Sequence, residues 1–252
     1  MRRSILILSL VLGVAAFAAP AFAFDKVFEA TYPLPSGGRF SLTNVNGSVE
    51  VRGWQRDEVH ARAVKRSRTD PADESRVTID VEAKPGSVAI ITRYPEADPV
   101  DVTVEYTIEV PARLLQTNIK TVNGDIRVRD LETDGELRTI NGDLEVLNGA
   151  GHVGARTTNG NVRLELAHLG DGSYPIRVET VNGSVALELP ASVGAELHAH
   201  SLNGDFHSDL PLEVQAIAGR AEVRARLGRG GAPVVMRTVN GGIRILAARA
   251  TV

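Results

Sequence analysis

Hydrophobic and polar residues alternate along most of the chain, and the alternation is interrupted at intervals by the dipeptide Asn-Gly. Seven copies of one short phrase contain it, in forms such as TVNGDIRV and TINGDLEV. Positions four before, three after and five after the asparagine are mainly apolar, and the position two before is mainly threonine. A period of two on both sides of a turn predicts strands with one buried face. The asparagines are Asn46, Asn123, Asn141, Asn159, Asn182, Asn203 and Asn240.

The spacing of the copies favours a stacked repeat. They lie 77, 18, 18, 23, 21 and 37 residues apart. Asn-Gly between alternating runs also signals a β-hairpin, so an antiparallel meander competes with a β-solenoid. We favour the solenoid because residue types recur in register, which predicts ladders of threonine over threonine and asparagine over asparagine at about 4.8 Å. At each corner the asparagine should tolerate left-handed backbone and the glycine should supply positive φ.

These patterns predict an all-β, single-domain β-solenoid of tandem strand-turn-strand repeats, with seven or eight coils. The segment Ile217–Val223 has Ala218-Gly219 in place of Asn-Gly and is interpreted as a degenerate eighth coil. The long first gap predicts a strand-rich insertion. The predicted bounds within a domain at 24–252 are a first repeat at 40–54, the insertion at 55–116 and tandem repeats at 117–252.

The first residues have the features of a signal peptide. Arg2 and Arg3 precede the apolar run Ile5–Ala18, and Ala21-Phe22-Ala23 is a small-x-small cleavage site. We predict that residues 1–23 are removed and that the protein is exported, to the periplasm or outside the cell. No other apolar stretch approaches spanning length, so no membrane span is expected in the mature chain.

Composition excludes several classes of function. The chain has no cysteine, which removes disulfides, thiolate metal sites and thiol nucleophiles. Its net charge is −3, and loss of Arg2 and Arg3 makes it −5, which argues against nucleic-acid binding. No nucleophile elbow, zinc-protease motif or phosphate-binding glycine loop is present, so no catalytic residue and no cofactor is predicted.

Two groups of side chains resemble metal ligands. The carboxylates directly after Asn-Gly invite a calcium hypothesis, but no second acid recurs beside them, so turn capping is the preferred interpretation. Three histidines cluster in one copy and should all point outward, which favours solvated side chains over zinc. We therefore predict no metal site. The residues concerned are Asp125, Asp143, Asp205, His198, His200 and His207.

A short basic row is the candidate binding face. Lys120, Arg138 and Arg156 lie three residues before the asparagine in consecutive copies, and the next members are Glu179 and His200. Stacking predicts a row suited to a polyanion, although solvated ladders are the preferred interpretation. Four residues after the asparagine the signs alternate, which predicts cross-strand ion pairs. That column contains Arg127, Glu145 and Arg163.

The order of the parts resembles a known family. The matching residues are NVNGSVEVRGW (Asn44–Trp54), VEYTIEVP (Val104–Pro111) and the later copies of T-[VIT]-N-G-x-[ILV]. Together they resemble the bacterial putative-adhesin family, a β-strand-repeat domain of unknown function. The resemblance implies a β-solenoid with an envelope or extracellular role, and it supplies no catalytic residues.

Three hypotheses for function follow. The first is an exported, non-catalytic adhesin-like protein that binds or scaffolds at the cell envelope, with an envelope polymer, glycan or surface protein as partner. The second is a solenoid enzyme that acts on polysaccharide, which needs a groove with convergent carboxylates. The third is a structural, self-associating envelope protein whose end coils pair with other copies.

Overall fold

The computed structural model describes residues 26–170, 174–218 and 222–248, so the predicted signal peptide lies outside the described residues. The described residues form 21 strands and one short 3-10 helix, Pro71–Ser75, which confirms the all-β prediction. The strands are β1 (Lys26–Pro33), β2 (Arg39–Thr43), β3 (Val49–Trp54), β4 (Glu58–Ser67), β5 (Thr78–Lys84), β6 (Ser87–Arg93), β7 (Val102–Pro111), β8 (Arg113–Lys120), β9 (Ile126–Arg129), β10 (Glu132–Arg138), β11 (Leu144–Gly151), β12 (Val153–Arg156), β13 (Val162–Leu169), β14 (Ile176–Glu179), β15 (Val185–Leu189), β16 (Ala195–Asn203), β17 (Phe206–Ser208), β18 (Leu212–Ala218), β19 (Glu222–Leu227), β20 (Ala232–Asn240) and β21 (Ile243–Ala247).

The strands form two ladders whose inward side chains share one hydrophobic core. The leading ladder holds the strands that precede the Asn-Gly turns, and the trailing ladder holds the strands that follow them. The spatial order in the leading ladder is β5-β6-β2-β8-β10-β12-β14-β20-β16-β19-β18. The order in the trailing ladder is β1-β4-β7-β3-β9-β11-β13-β15-β21-β17.

Strands of neighbouring copies pair in parallel and in register, which confirms the solenoid and excludes the meander. Leu137 lies between Ile119 and Ala155 in the leading ladder. The positions four before, three after and five after the asparagine are buried, apart from the half-buried Phe206 and Ser208 of the sixth copy. Burial of one aliphatic side chain stabilises a fold by about 1.5–3 kcal/mol, so these columns hold the two ladders together.

The copies do not stack in chain order. Met236 in β20 pairs with Val178 on one side and with Ala199 on the other. In the trailing ladder Ile245 likewise lies between Leu187 and Ser208. The seventh copy is therefore inserted between the fifth and the sixth, and the sixth copy ends the run of parallel coils.

The interpretation of Ile217–Val223 as an eighth coil is wrong. β18 and β19 form an antiparallel hairpin, and β19 also pairs antiparallel with β16. The hairpin covers the outer edge of β16, the leading strand of the sixth copy, where the leading strand of an eighth parallel coil would otherwise stack. Residues 219–221 lie outside the described residues. The alternation of apolar and polar residues has the same period in parallel and antiparallel strands, so it does not reveal the direction of pairing.

The insertion after the first copy contributes one further coil and its cover. β6 pairs in parallel with β2, and β7 pairs in parallel with β3. Antiparallel strands then continue outward, with β5 on β6, β4 on β7 and β1 on β4. The outermost strands are thus β1 and β5 at this end, and β18 and β17 at the other.

Candidate functional site

The asparagines of the seven turns form one hydrogen-bonded column. Each side-chain Nδ2 donates to Oδ1 of the next asparagine toward Asn46, over distances of 2.7 to 2.9 Å. The chain of donors runs from Asn203 through Asn240 to Asn182, so it follows the spatial order of the copies. Both atoms of each inner amide are engaged within the column, which supports a structural role.

The glycines after the asparagines are required by close approach of neighbouring turns. A Cβ on Gly124 would lie 2.2 Å from the carbonyl oxygen of Gly47, and a Cβ on Gly183 would lie 1.9 Å from that of Gly160. The φ angles of Gly124 and Gly183 are both 157°, near the extended range. Among the described residues the positive-φ positions other than glycine are Asp98, Asp130 and Asn148, so none of the seven repeat asparagines is left-handed and that expectation is wrong.

The threonines two residues before the asparagines bond to the backbone and not to one another, so the expected threonine-over-threonine ladder is wrong. Thr180 Oγ1 donates to the carbonyl oxygen of Gly160, at 2.9 Å, and Thr238 Oγ1 donates to that of Gly183, at 2.8 Å. The hydroxyls thereby satisfy carbonyl groups that the turns bury. Stacked strands bring the hydroxyl nearer to the neighbouring glycine carbonyl than to the next hydroxyl.

The aspartates that follow Asn-Gly cap backbone amides. Asp125 Oδ1 accepts from the amide of Asp143 at 2.9 Å, and Asp143 Oδ1 accepts from that of Asn161 at 2.7 Å. Asp205 lies at the far end of the stack, beside Ile243. No group of three or more potential metal ligands occurs among the described residues. Turn capping accounts for the first two carboxylates.

The histidine cluster is divided between the two ladders. His198 and His200 are exposed on β16 in the leading ladder, whereas His207 lies on β17 in the trailing ladder. His207 Nε2 is 2.9 Å from Asp209 Oδ1. The three imidazoles all reach solvent as expected, but they do not converge on one point.

The basic row lies on the outer face of the leading ladder. Arg138 in β10 pairs in register with Lys120 in β8 and with Arg156 in β12. Glu179 follows next, and Arg237 lies between Glu179 and the sixth copy because of the altered stacking order. In chain order His200 follows Glu179 in this column. The sequence therefore does not reveal that Arg237 of the seventh copy lies between them.

Ion pairs engage two of the three cations. Arg138 Nη2 is 2.8 Å from Glu136 Oε1, and Arg156 Nη2 is 2.8 Å from Glu179 Oε2. Lys120 is exposed, and no carboxylate of the described residues lies within 4.0 Å of its Nζ. Exposed ion pairs contribute only about 0–1 kcal/mol each, so a polyanion can replace them at small cost.

On the trailing ladder the alternating charges form the expected cross-strand pairs. Glu145 Oε2 is 3.8 Å from Arg127 Nε, and its Oε1 is 3.6 Å from Arg163 Nη1. Arg163 also contacts Glu188 at 2.9 Å. Both arginines of this column are therefore neutralised by carboxylates of the same face.

Trp54 is engaged in local contacts. Its Nε1 donates to the carbonyl oxygen of Glu58 at 2.9 Å, and the Arg56 guanidinium lies 4.8 Å from the ring centroid. The His60 ring lies 6.3 Å away, tilted by 30°. The only tryptophan of the chain is thus an anchor of the β3–β4 corner.

Comparison with protein families identifies the repeats. The family described as Toastrack DUF4097 matches residues 40–246, from β2 to β21. This chain belongs to the Toastrack DUF4097 family. The match confirms the resemblance found in the sequence, and it spans both ladders and the hairpin of this Toastrack protein.

Solved structures are similar to this Toastrack chain. A putative cell adhesion protein from Clostridium sporogenes ATCC 15579 is similar with a TM-score of 0.52 and 15% identity, over 88% of this chain and 100% of that one. A putative adhesin from Bacteroides fragilis NCTC 9343 has a TM-score of 0.43 and 14% identity, over 88% and 97% of the two chains. No curated protein matches this chain. The first likeness concerns the fold alone, since one fold hosts many functions.

The described part of the chain contains no helix with the length and apolar character needed to cross a membrane.

Proposed function

We propose that this protein is an exported, non-catalytic, adhesin-like protein that binds an anionic polymer at the cell envelope. The observation that carries the proposal is the run of Lys120, Arg138 and Arg156 on three consecutive strands. Adjacent positions in a ladder are about 4.8 Å apart, so the three cations occupy about 10 Å of one flat face. A row of like charges on a rigid surface attracts a ligand of opposite charge.

The rigidity of the row supports binding of an extended partner. The three side chains project from strands whose inward neighbours, Ile119, Leu137 and Ala155, are fully buried. A surface held by the core loses little entropy when a polymer lies along it. Arg237 extends the row beyond Glu179, which lengthens the surface available to one chain of the polymer.

The alternative of a polysaccharide-cleaving enzyme has weaker support. Glycoside hydrolysis needs two carboxyl groups placed on either side of the scissile bond. On this face Glu136 is paired with Arg138, and Glu179 is paired with Arg156. Carboxylates that already neutralise neighbouring arginines suit a stabilising surface network better than a catalytic pair.

Self-association is the second candidate, favoured by the outermost strands. Val27 in β1 is 46% exposed, and Val214 in β18 is 50% exposed. A strand at the edge of a sheet presents unpaired backbone groups that can pair with a second chain. Size-exclusion chromatography at several concentrations distinguishes this structural role, because it predicts assemblies that grow with concentration in the absence of any polymer.

Export completes the proposal. Residues 1–23 act as a signal peptide, and the mature protein works in the periplasm or outside the cell. Its partner is an envelope polymer, a glycan or a surface protein, and not a nucleic acid, given the net charge of −5 that follows removal of Arg2 and Arg3.

The test measures retention of residues 24–252 on immobilised envelope polymers and glycans at low and high salt. We expect retention at low salt, loss at high salt through screening, and loss in the triple variant Lys120→Glu, Arg138→Glu, Arg156→Glu. The control variant makes the same change of charge on the trailing ladder, at the exposed Arg62, Arg129 and Arg244. Equal loss in both triple variants would indicate an effect of net charge alone. Absence of retention for the folded wild type overturns the proposal.

A further inference from the structure

An open groove lies beside the basic row, where the outer face of β12 carries a glycine, Gly154. Gly154 in β12 is next to Glu136 in β10, and the space above it has a volume of about 520 Å³. The groove is lined by Arg39, Leu115, His152, Arg156, Tyr174 and Arg177. Arg156 belongs both to this groove and to the basic row, so the two features form one continuous surface.

The backbone around position 154 does not require a glycine there. A Cβ at this position would lie 3.6 Å from the carbonyl oxygens of Gly135 and Arg177, which is ordinary van der Waals contact. The turn glycines are different, since a Cβ on Gly183 would lie 1.9 Å from a carbonyl oxygen. Glycine in a strand interior costs stability and can mark close approach by a ligand. At Gly154 the absence of a side chain keeps the groove open.

The charges in the groove favour an anionic ligand. Two carboxylates at the groove are engaged, because Asp134 Oδ1 is 3.0 Å from His152 Nδ1 and Glu136 is paired with Arg138. Within the described ranges no carboxylate lies within 4.0 Å of the guanidinium nitrogens of Arg39 or Arg177. Arginine pairs readily with carboxylate and phosphate groups through two parallel hydrogen bonds.

Two largely apolar side chains form one wall of the groove beside these arginines. Tyr174 is 69% exposed and Leu115 is 52% exposed, and both line the same groove. The His152 ring meets the Tyr174 ring edge-on at 6.3 Å and 90°. Tyrosine offers a flat apolar ring with a polar end, a combination that suits ligands with both apolar and polar surfaces.

The separation of the two arginines indicates the length of the ligand. Arg39 lies on β2 and Arg177 on β14, and β8, β10 and β12 lie between those strands. Four strand spacings amount to about 19 Å, which exceeds the size of a single sugar or a free ion. This length separates the two backbone positions, and a short stretch of polymer laid across the strands can span it and contact both arginines.

We propose that this groove binds a segment of an acidic polysaccharide, with a sugar ring against Tyr174 and anionic groups on Arg39 and Arg177. This inference rests on the proposed function, because it names the class of polymer and the site that recognises it. Sugar rings provide the flat C–H surface that the phenol can contact, and regularly spaced acid groups match two distant arginines.

The experiment measures binding of residues 24–252 to four probes by calorimetry. Hexagalacturonate carries rings and charge, its methyl ester carries rings alone, inorganic polyphosphate carries charge alone, and galacturonate is one unit. We expect hexagalacturonate to bind at least about tenfold more tightly than the methyl ester and the monomer, since one charge-assisted hydrogen bond lost corresponds to that factor or more. It should also bind more tightly than polyphosphate, which has no ring to contact Tyr174.

Three variants locate the site. Gly154→Val fills the groove, Tyr174→Ala removes its wall, and Arg177→Ala removes one anion contact. Each should weaken binding of hexagalacturonate by roughly tenfold. The controls are Leu202→Ala, an exposed apolar side chain elsewhere, and Arg244→Ala on the trailing ladder; both should bind as the wild type does. The unfolding midpoint of each variant confirms that it is folded.

The outcomes separate this inference from the proposed function. Wild-type affinity in folded Gly154→Val and Tyr174→Ala overturns the groove, and the proposed function stands if the triple variant of the basic row still loses retention. Equal affinity for polyphosphate and hexagalacturonate overturns recognition of the sugar. If the folded wild type binds no probe and no envelope polymer, both proposals fall.

Discussion

Asn240 donates a hydrogen bond from its Nδ2 to Oδ1 of Asn182 at 2.8 Å, although Asn203 lies between them in the chain. Asn203 in turn donates to Asn240, at 2.9 Å. The column of amides is therefore continuous only in the spatial order of the copies. The final repeat of the chain completes the stack from within, and the preceding repeat becomes its end.

Inner and end positions of this column predict different costs of substitution. Asn182 both donates and accepts within the column, whereas Asn203 only donates. We expect Asn182→Ala to lower the free energy of unfolding by about 2 kcal/mol and Asn203→Ala by about 1 kcal/mol, because an inner substitution leaves two amides without a partner. Equilibrium unfolding in urea measures both values. Equal losses would contradict a cooperative column.

The glycines provide a matched pair of positions. A Cβ on Gly183 meets a carbonyl oxygen at 1.9 Å, whereas a Cβ on Gly154 meets none closer than 3.6 Å. Gly183→Ala should lower the free energy of unfolding by about 3 kcal/mol, as expected for overpacking, while Gly154→Ala should be neutral or stabilising. Thermal unfolding of the two variants checks the difference, and similar midpoints would contradict it.

Stability should fall at alkaline pH because, at the first end of the stack, Tyr106 is buried and Tyr94 is half-buried. Burial raises the pKa of Tyr106 to about 12, against the opposing effect of its hydrogen bond with Thr92, and burial likewise raises the pKa of Tyr94 to about 12. A folded pKa above the unfolded value of 10.0 means that this stabilisation is complete below pH 10 and is lost as the pH rises toward 12. For Tyr106 the loss amounts to roughly 3 kcal/mol.

Lys65 has an opposite and partly offsetting effect. Burial lowers its pKa below 10.5, with the charge of Lys26 adding to the shift and that of Glu74 opposing it. The folded state therefore gains stability as the pH rises from that lowered value to 10.5. Urea unfolding from pH 8 to 12 measures the sum, and Tyr106→Phe should flatten the decline above pH 10. An unchanged decline in that variant would contradict the role of Tyr106.

Cleavage of the signal peptide has a direct test. We expect the protein recovered from the periplasm or medium of an expressing bacterium to begin at Phe24, because Ala21-Phe22-Ala23 presents small residues at the cleavage site. Intact-mass measurement identifies the first residue. Ala23→Arg should block processing and leave the precursor with the cells. Recovery of full-length protein from the exported fraction would contradict cleavage.

Much of the repeat could be predicted because its causes are local. Alternation about Asn123, Asn141 and Asn159 determines which side chains are buried, since the side-chain period of a strand is two whatever its partner. The recurrence of Thr, Asn and Gly at constant spacing determines that copies stack in register. The basic row and the alternating charges of Arg127, Glu145 and Arg163 follow from the same register.

The tertiary structure alone decided the order of the copies, the hairpin and the groove. Each copy presents nearly the same hydrogen-bonding edges, so local pattern does not select its neighbours. Which copies become neighbours depends on which strands cover the end of the stack. Ser208 and the half-buried Phe206 make the sixth copy the least apolar one. β19 covers the outer edge of β16, the leading strand of that copy. The fully apolar seventh copy lies between two neighbouring copies. The groove over Gly154 depends on Leu115, Tyr174 and Arg177, and Leu115 is distant in sequence from the other two and shares a surface with them only because the coils stack.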